Sequence, residues 1–256
     1  MKREPITILK ILLLFIVVQY TGLMINEHYR TNELPLNIES SEGNDLTFVL
    51  TGIIITTIII YLFTRLKYEK FLKIWFSTAI MISLIVSLNS FLNPIIALIV
   101  AITITILRVK NKDLYIHNLT EVFIYGGLVS IFAPLFNPLS MITLLIVISI
   151  YDYFSVFISK HMIMLARSQE SINLFTGLMV KHNGNLSILG SGDIAFSLLF
   201  AVVMRGSYGF VSAYLTIMAV TLSLIVLMLL GKKNKYYPAM PFITTACLIS
   251  YLIVII

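Results

Sequence analysis

Asp152, in the run Tyr151-Asp152-Tyr153, and Asp193, in Gly190-Ser191-Gly192-Asp193, are the two residues of this chain best suited to chemistry. Each acid lies inside a long apolar stretch. Two carboxyls brought within a few ångströms cannot both ionise cheaply, so they share one proton. Such a pair hydrolyses amides. The ionised carboxylate takes a proton from water as the oxygen attacks the carbonyl carbon, and the protonated partner donates to the carbonyl oxygen. The pair titrates as a unit, so neither role belongs to one residue.

The elements that must position these acids are membrane spans. Of the 256 residues, 59% are hydrophobic and 12% charged, and the mean hydropathy is +0.97. Soluble domains carry about twice that share of charge, so the bilayer is the missing solvent. A crossing helix needs about 20 apolar residues. The apolar runs between charged or Pro/Asn breaks give nine spans: 6–26, 46–64, 74–92, 95–107, 116–135, 139–158, 188–204, 208–230 and 237–256. Asn93-Pro94 separates the third from the fourth, and Phe136-Asn137-Pro138 the fifth from the sixth, because the residue before a proline disfavours the helical conformation. With the N-terminus cytoplasmic and the C-terminus outside, 16 of the 18 lysines and arginines fall on the cytoplasmic side, and only Arg30 and Arg205 fall outside. That alternation follows the positive-inside rule. It predicts an all-α polytopic membrane protein, with a retained first span rather than a cleaved leader.

Within this plan, Lys10 and Glu121 lie near span edges, leaving Asp152 and Asp193 as the clearly intramembrane charges. An acid at that depth costs roughly 2.5–3.5 kcal/mol on insertion scales, which argues for function. Asp152 is about six residues (~9 Å) from the cytoplasmic end of the sixth span, and Asp193 about five (~8 Å) from the same end of the seventh. Antiparallel neighbours would hold both at one level.

The flanking residues suit a substrate that must unwind. Gly190 and Gly192 loosen the helix and let a backbone pass close, where an extended substrate strand gains partners by β-addition; helix packing is the plainer use of such small residues. Pro238-Ala239-Met240-Pro241 opens the ninth span at the cytoplasmic end. Two prolines there force an irregular segment, which at membrane depth is tolerated where it lines a cavity. Tyr151 walls the site or packs in the bundle. The chain divides into a six-span bundle over 1–158, a cytoplasmic segment over 159–187 and a three-span bundle over 188–256. In the middle segment Ser159 to Glu170 is amphipathic and suits a membrane surface, and Ser171 to Asn185 reads as mobile. Asn118-Leu119-Thr120 matches a glycosylation acceptor on the wrong side of the membrane and carries no weight.

Cys247 is the single cysteine, and His28, His117, His161 and His182 are scattered. No metal-ligand spacing is present, and no metal or cofactor is expected. The formal charge of +6 follows from the loop asymmetry and implies no nucleic acid.

Tyr151-Asp152, Gly190-Ser191-Gly192-Asp193 and Pro238-Ala239-Met240-Pro241, in that order, resemble the presenilin/signal peptide peptidase family of intramembrane aspartyl proteases. Tyr151 to Ala166 is especially similar to archaeal presenilin homologues, which implies an archaeal cell membrane. The resemblance implies that Asp152 and Asp193 are the catalytic pair and that the Pro-Ala-x-Pro segment shapes the site. It also implies that single-span proteins or signal peptides are substrates. Met240 stands where the family usually has Leu, and Ser191 where presenilins have Leu. Homo-oligomerisation is left open. Two other readings use the same acids. A proton-coupled transporter should show matched helix breaks in both halves, whereas the breaks here crowd into 150–241. A prepilin-peptidase-like enzyme leaves the proline motif unexplained.

Overall fold

The structure is a computed structural model that describes residues 5–31, 51–52, 55–56, 59, 69–111, 113–156, 176–182, 185–230 and 237–256. Eight α-helices occur among them: α1 (Pro5–Thr31), α2 (Glu69–Asn89), α3 (Pro94–Lys110), α4 (Leu114–Phe132), α5 (Pro138–Phe154), α6 (Ser191–Tyr208), α7 (Phe210–Leu230) and α8 (Met240–Ile255). Residues 51–52, 55–56 and 59 of the expected second span are helical, and the rest of that span lies outside the described residues. α1, α4 with its 3₁₀ extension Ala133–Leu135, α7 and residues Lys70–Asn89 of α2 are long and apolar enough to cross a membrane.

Local chemistry sets the boundaries. The Asn93 side chain accepts from the Ile95 N–H, with Pro94 in the first turn of α3. Asp113 caps α4 by accepting from the Tyr115 N–H. Asn137 and Ser140 form a reciprocal capping box on α5, again with Pro in the first turn. These side chains satisfy donors that the first turn of any helix leaves open. Both Asn-Pro breaks therefore separate two helices.

The loop after α5 differs from its expected form. Gly177–His182 (β1) and Asn185–Gly190 (β2) are antiparallel strands in the register Gly177↔Gly190 to His182↔Asn185. The Asn183-Gly184 dipeptide between them marks a loop in the sequence, and it is also the strongest short-range hairpin signal. Ile188 and Leu189, taken as the start of the seventh span, belong to β2. The following helix therefore starts at Ser191. Ser159 to Glu170 lies outside the described residues.

The main core joins α1, α4, α5, α6, α7, α8 and the hairpin. Glycines set the closest crossings. A Cβ on Gly127 would overlap the Ser83 backbone carbonyl of α2, one on Gly126 the Ile25 side chain of α1, and one on Gly22 the Leu198 side chain of α6. Small residues permit such approaches between helices in lipid. Elsewhere the outer surface is apolar: Ile74, Ile95, Leu139, Val211 and Leu222 are all more than half exposed, as lipid contact requires.

Buried charge is more extensive than the sequence indicates. Glu121, expected near a span edge, is fully buried and paired with buried Arg108, whose guanidinium also bonds Thr120 Oγ1. Arg205 is buried, pairs with Glu27, donates to Leu23 O (3.1 Å) and lies 3.7 Å over the Phe210 ring. Buried ions persist when paired.

Candidate active site

Asp152 is the third residue from the end of α5 and is 5% exposed. Its partners come from the segment that opens α8. The Met240 N–H donates to Asp152 Oδ2 at 3.1 Å, and the Ala239 N–H donates to the same carboxyl. The first turn of a helix has N–H groups without helical acceptors. Across Pro238-Ala239-Met240-Pro241 the prolines carry no N–H, so only two remain, and both are spent on Asp152. The proline motif is thus a cradle for one acid. Thr244 Oγ1 donates to Leu145 O at 3.2 Å and ties α8 to α5 one turn further along.

Asp193 is the third residue of α6, not the sixth of a longer span. Gly190 is the N-cap and has no side chain to offer the open turn. The Asp193 carboxyl instead accepts from the Gly190 N–H, the return half of a capping box. A carboxylate at a helix N-terminus is also favoured by the helix dipole. A Cβ on Gly190 would lie 3.1 Å from Asp193 Oδ2, so the bare α-carbon lets the carboxyl fold back. Gly192 meets only the Phe196 ring, at 3.8 Å. Nothing among the described residues demands a glycine there.

α5 and α6 pack against each other, and Asp193 lies within electrostatic reach of Asp152. Each acid is two residues from the end of its helix. α-Helical geometry ends at Phe154 and begins again at Ser191, so Asp152 lies in the last turn of one helix and Asp193 in the first turn of the other. Asp193 and Ser191 are partly exposed. Pro238, Ala239 and Met240 are buried and Pro241 is half-buried. Tyr151 is 60% exposed, since a neighbour in sequence points about 100° around the helix from Asp152.

Other side chains near the site belong to none of the three motifs. Tyr125 of α4 is buried within electrostatic reach of both Glu121 and Asp193. Gln19 of α1 is buried and donates to Ser197 Oγ (2.8 Å) and Ile194 O (3.3 Å), while Ser197 Oγ donates to Asp193 O at 2.7 Å. A glutamine inside an apolar run was the available signal. Asn118 and His117 of α4 hold β1: Asn118 Nδ2 donates to Met179 O (2.7 Å), Asn118 Oδ1 accepts from Met179 N–H (3.0 Å), and His117 Nε2 bonds Gly177 O (2.8 Å). No cluster of metal-ligating side chains occurs among the described residues.

The chain resembles solved structures over nearly its whole length. Two are structures of a presenilin family intramembrane aspartate protease. The one in a C222 crystal form is 20% identical, with a TM-score of 0.69, covering 97% of this chain and 98% of the other. The one in a P2 form is 21% identical, with a TM-score of 0.67, covering 96% of each chain. At these identities the likeness establishes the fold. No curated protein matches. The family described as signal-peptide peptidase, presenilin aspartyl protease matches residues 12–256. An acid pair set at helix ends in an apolar bundle, on this fold and within this match, makes the chain a member of the presenilin/signal peptide peptidase family of intramembrane aspartyl proteases.

Proposed function

We propose that Asp152 and Asp193 are the catalytic pair and that the enzyme hydrolyses peptide bonds inside the spans of single-span membrane proteins or signal peptides. The observation that carries this is the convergence of the two acids from two helix ends, one held by the proline segment and the other by its own N-cap glycine. In the reaction the ionised carboxyl removes a proton from water, whose oxygen attacks the scissile carbonyl carbon. The protonated carboxyl donates to the carbonyl oxygen. The tetrahedral diol then collapses as the leaving nitrogen takes up a proton.

A substrate helix has to open before its amide is accessible, since helical amides are bonded internally. The hairpin offers the opened segment a partner. Gly177 O and both backbone groups of Met179 bond outward to α4, so Gly177↔Gly190 and Met179↔Ile188 are pairs that do not bond across the ladder. Ile188 then turns its N–H and C=O to the far edge of β2, where they have no partner among the described residues. Gly190 turns its N–H the same way, toward Asp193. A substrate strand adding there would run toward the acids. Ser191, partly exposed, and Tyr151, exposed on α5, are the side chains we assign to that path, and Gly192 gives it room.

The inferred topology is nine spans in an archaeal cell membrane, N-terminus cytoplasmic and C-terminus outside. The bundle 1–158 supplies one acid and 188–256 the other, joined by the segment 159–187. The charge alternation along the chain supports it. The test is mass-spectrometric identification of products from purified enzyme and a single-span substrate. New ends within the span, absent for Asp152→Ala and Asp193→Ala, are the expected result; ends confined to extramembrane segments overturn it.

A further inference from the structure

We infer that Asn118 is a positioning residue that fixes the hairpin against α4 and thereby sets which peptide bond of the substrate meets the acids; this rests on reading the far edge of β2 as the substrate track. The Asn118 amide imitates a neighbouring strand. It gives its N–H to Met179 O and takes the Met179 N–H, at 2.7 and 3.0 Å. It fills the position that the next strand of a sheet would fill. The adjacent His117 ring occupies Gly177 O at 2.8 Å, two residues along the same edge.

Two consequences follow. First, β1 has its outer edge occupied at Gly177 and Met179 by side chains of one helix, so among the described residues the edge open to an added strand is that of β2. Second, the hairpin cannot slide along α4 without breaking both Asn118 bonds. The helix that carries Asn118 is itself fixed. Its next residues, Thr120 and Glu121, bond buried Arg108 of α3, and Gly126 and Gly127 seat it against α1 and α2. β2 runs straight into Gly190, whose N–H bonds Asp193. The chain of contacts from Asn118 through Met179, the ladder and Gly190 thus measures the distance between the bilayer-fixed α4 and one acid. A strand pairs with β2 in steps of two residues, so the position of β2 relative to Asp193 selects the bond presented.

The test uses two variants of the full-length enzyme in detergent, Asn118→Ala and the isosteric Asn118→Asp, in which an acceptor replaces the donor to Met179 O. Amide hydrogen exchange across Leu178–Val180 reads the clamp directly. The expected result is exchange at least about tenfold faster in both variants, the scale of losing bonds of this kind. Product ends read the register, and the expected result is new ends two residues from the wild-type ends, with kcat lowered more than KM is raised. Unchanged exchange in Asn118→Asp overturns the clamp. Faster exchange with unchanged product ends overturns the register role. A wild-type enzyme that makes no cut within the span instead sinks the functional reading above, while the exchange arm still decides the clamp.

Discussion

Gly190→Ala isolates the placement of one carboxyl. Gly190 has φ −64° and ψ 147°, a conformation open to alanine, so the backbone bears no new strain. The added Cβ falls 3.1 Å from Asp193 Oδ2 and 3.8 Å from its Cγ. Ordinary contact for a carbon begins near about 3.5 Å, so the carboxyl must retreat by roughly 0.4 Å or rotate. Either movement stretches the bond from the Gly190 N–H, and hydrogen bonds to charged groups contribute about 1.5–3 kcal/mol. Alanine restricts the unfolded chain by about 0.4–1 kcal/mol, which offsets part of that loss. Stability therefore shifts little, whereas geometry at a reacting centre is severe: about 1 Å of misplacement costs on the order of 10²-fold in rate. The expected outcome is a kcat about 10- to 100-fold below wild type with a melting temperature within a few degrees. Initial rates on a fluorogenic single-span substrate and a thermal scan measure both. Activity within twofold of wild type would show that the Gly190–Asp193 contact does not govern the site. Gly192→Ala provides the contrast. Its Cβ meets Phe196 at 3.8 Å, so the melting temperature should hold or rise. The penalty should appear in KM, where a substrate backbone needs the space.

Asp152→Ala strands the Ala239 and Met240 N–H groups, at about 1–3 kcal/mol for each buried orphan, whereas Asp152→Asn keeps an acceptor. Both should be inactive, but only the alanine variant should melt well below wild type, and equal melting temperatures would contradict the cradle. Glu121→Leu removes the carboxylate that pairs with buried Arg108, at about 3–5 kcal/mol, and adding Arg108→Leu should restore most of that; a double variant no more stable than the single one would refute the pairing argument. Compounds with a tetrahedral hydroxyl-bearing carbon at the scissile position should inhibit far more tightly than substrate analogues, as measured by titration of initial rates.

Sequence exposed the helices because apolar runs are long and their breaks chemically plain: Asn93 and Asn137, each before a proline, are capping residues where helices begin. The three motifs were legible for the same reason, since acids, paired glycines and paired prolines are costly inside apolar stretches. The hairpin was hidden because its strands are six residues long and the second carries Ile188 and Leu189, which merge with the apolar run that follows. Arg108 and Glu121 were hidden because a charge near a span end reads as snorkelling, and only packing reveals that the two meet. Tyr151 and Tyr125 show the limit of adjacency: the tyrosine next to Asp152 in sequence is turned from it by the helical pitch, and the one within reach of Asp193 comes from α4, far earlier in the chain.

The glycine crossings among α1, α2 and α4 join main chain to main chain at Gly127 and Ser83. Such a seam has no rotamers to relax, so it is either shut or lost and cannot yield by degrees. Those three helices therefore serve as the fixed bed of a machine tool. Accommodation of an arriving chain is then expected in α5, α8 and the hairpin: α5 and α8 are joined to each other by hydrogen bonds of Asp152 and Thr244, and the hairpin to the bed by those of Asn118 and His117, all of which can be exchanged.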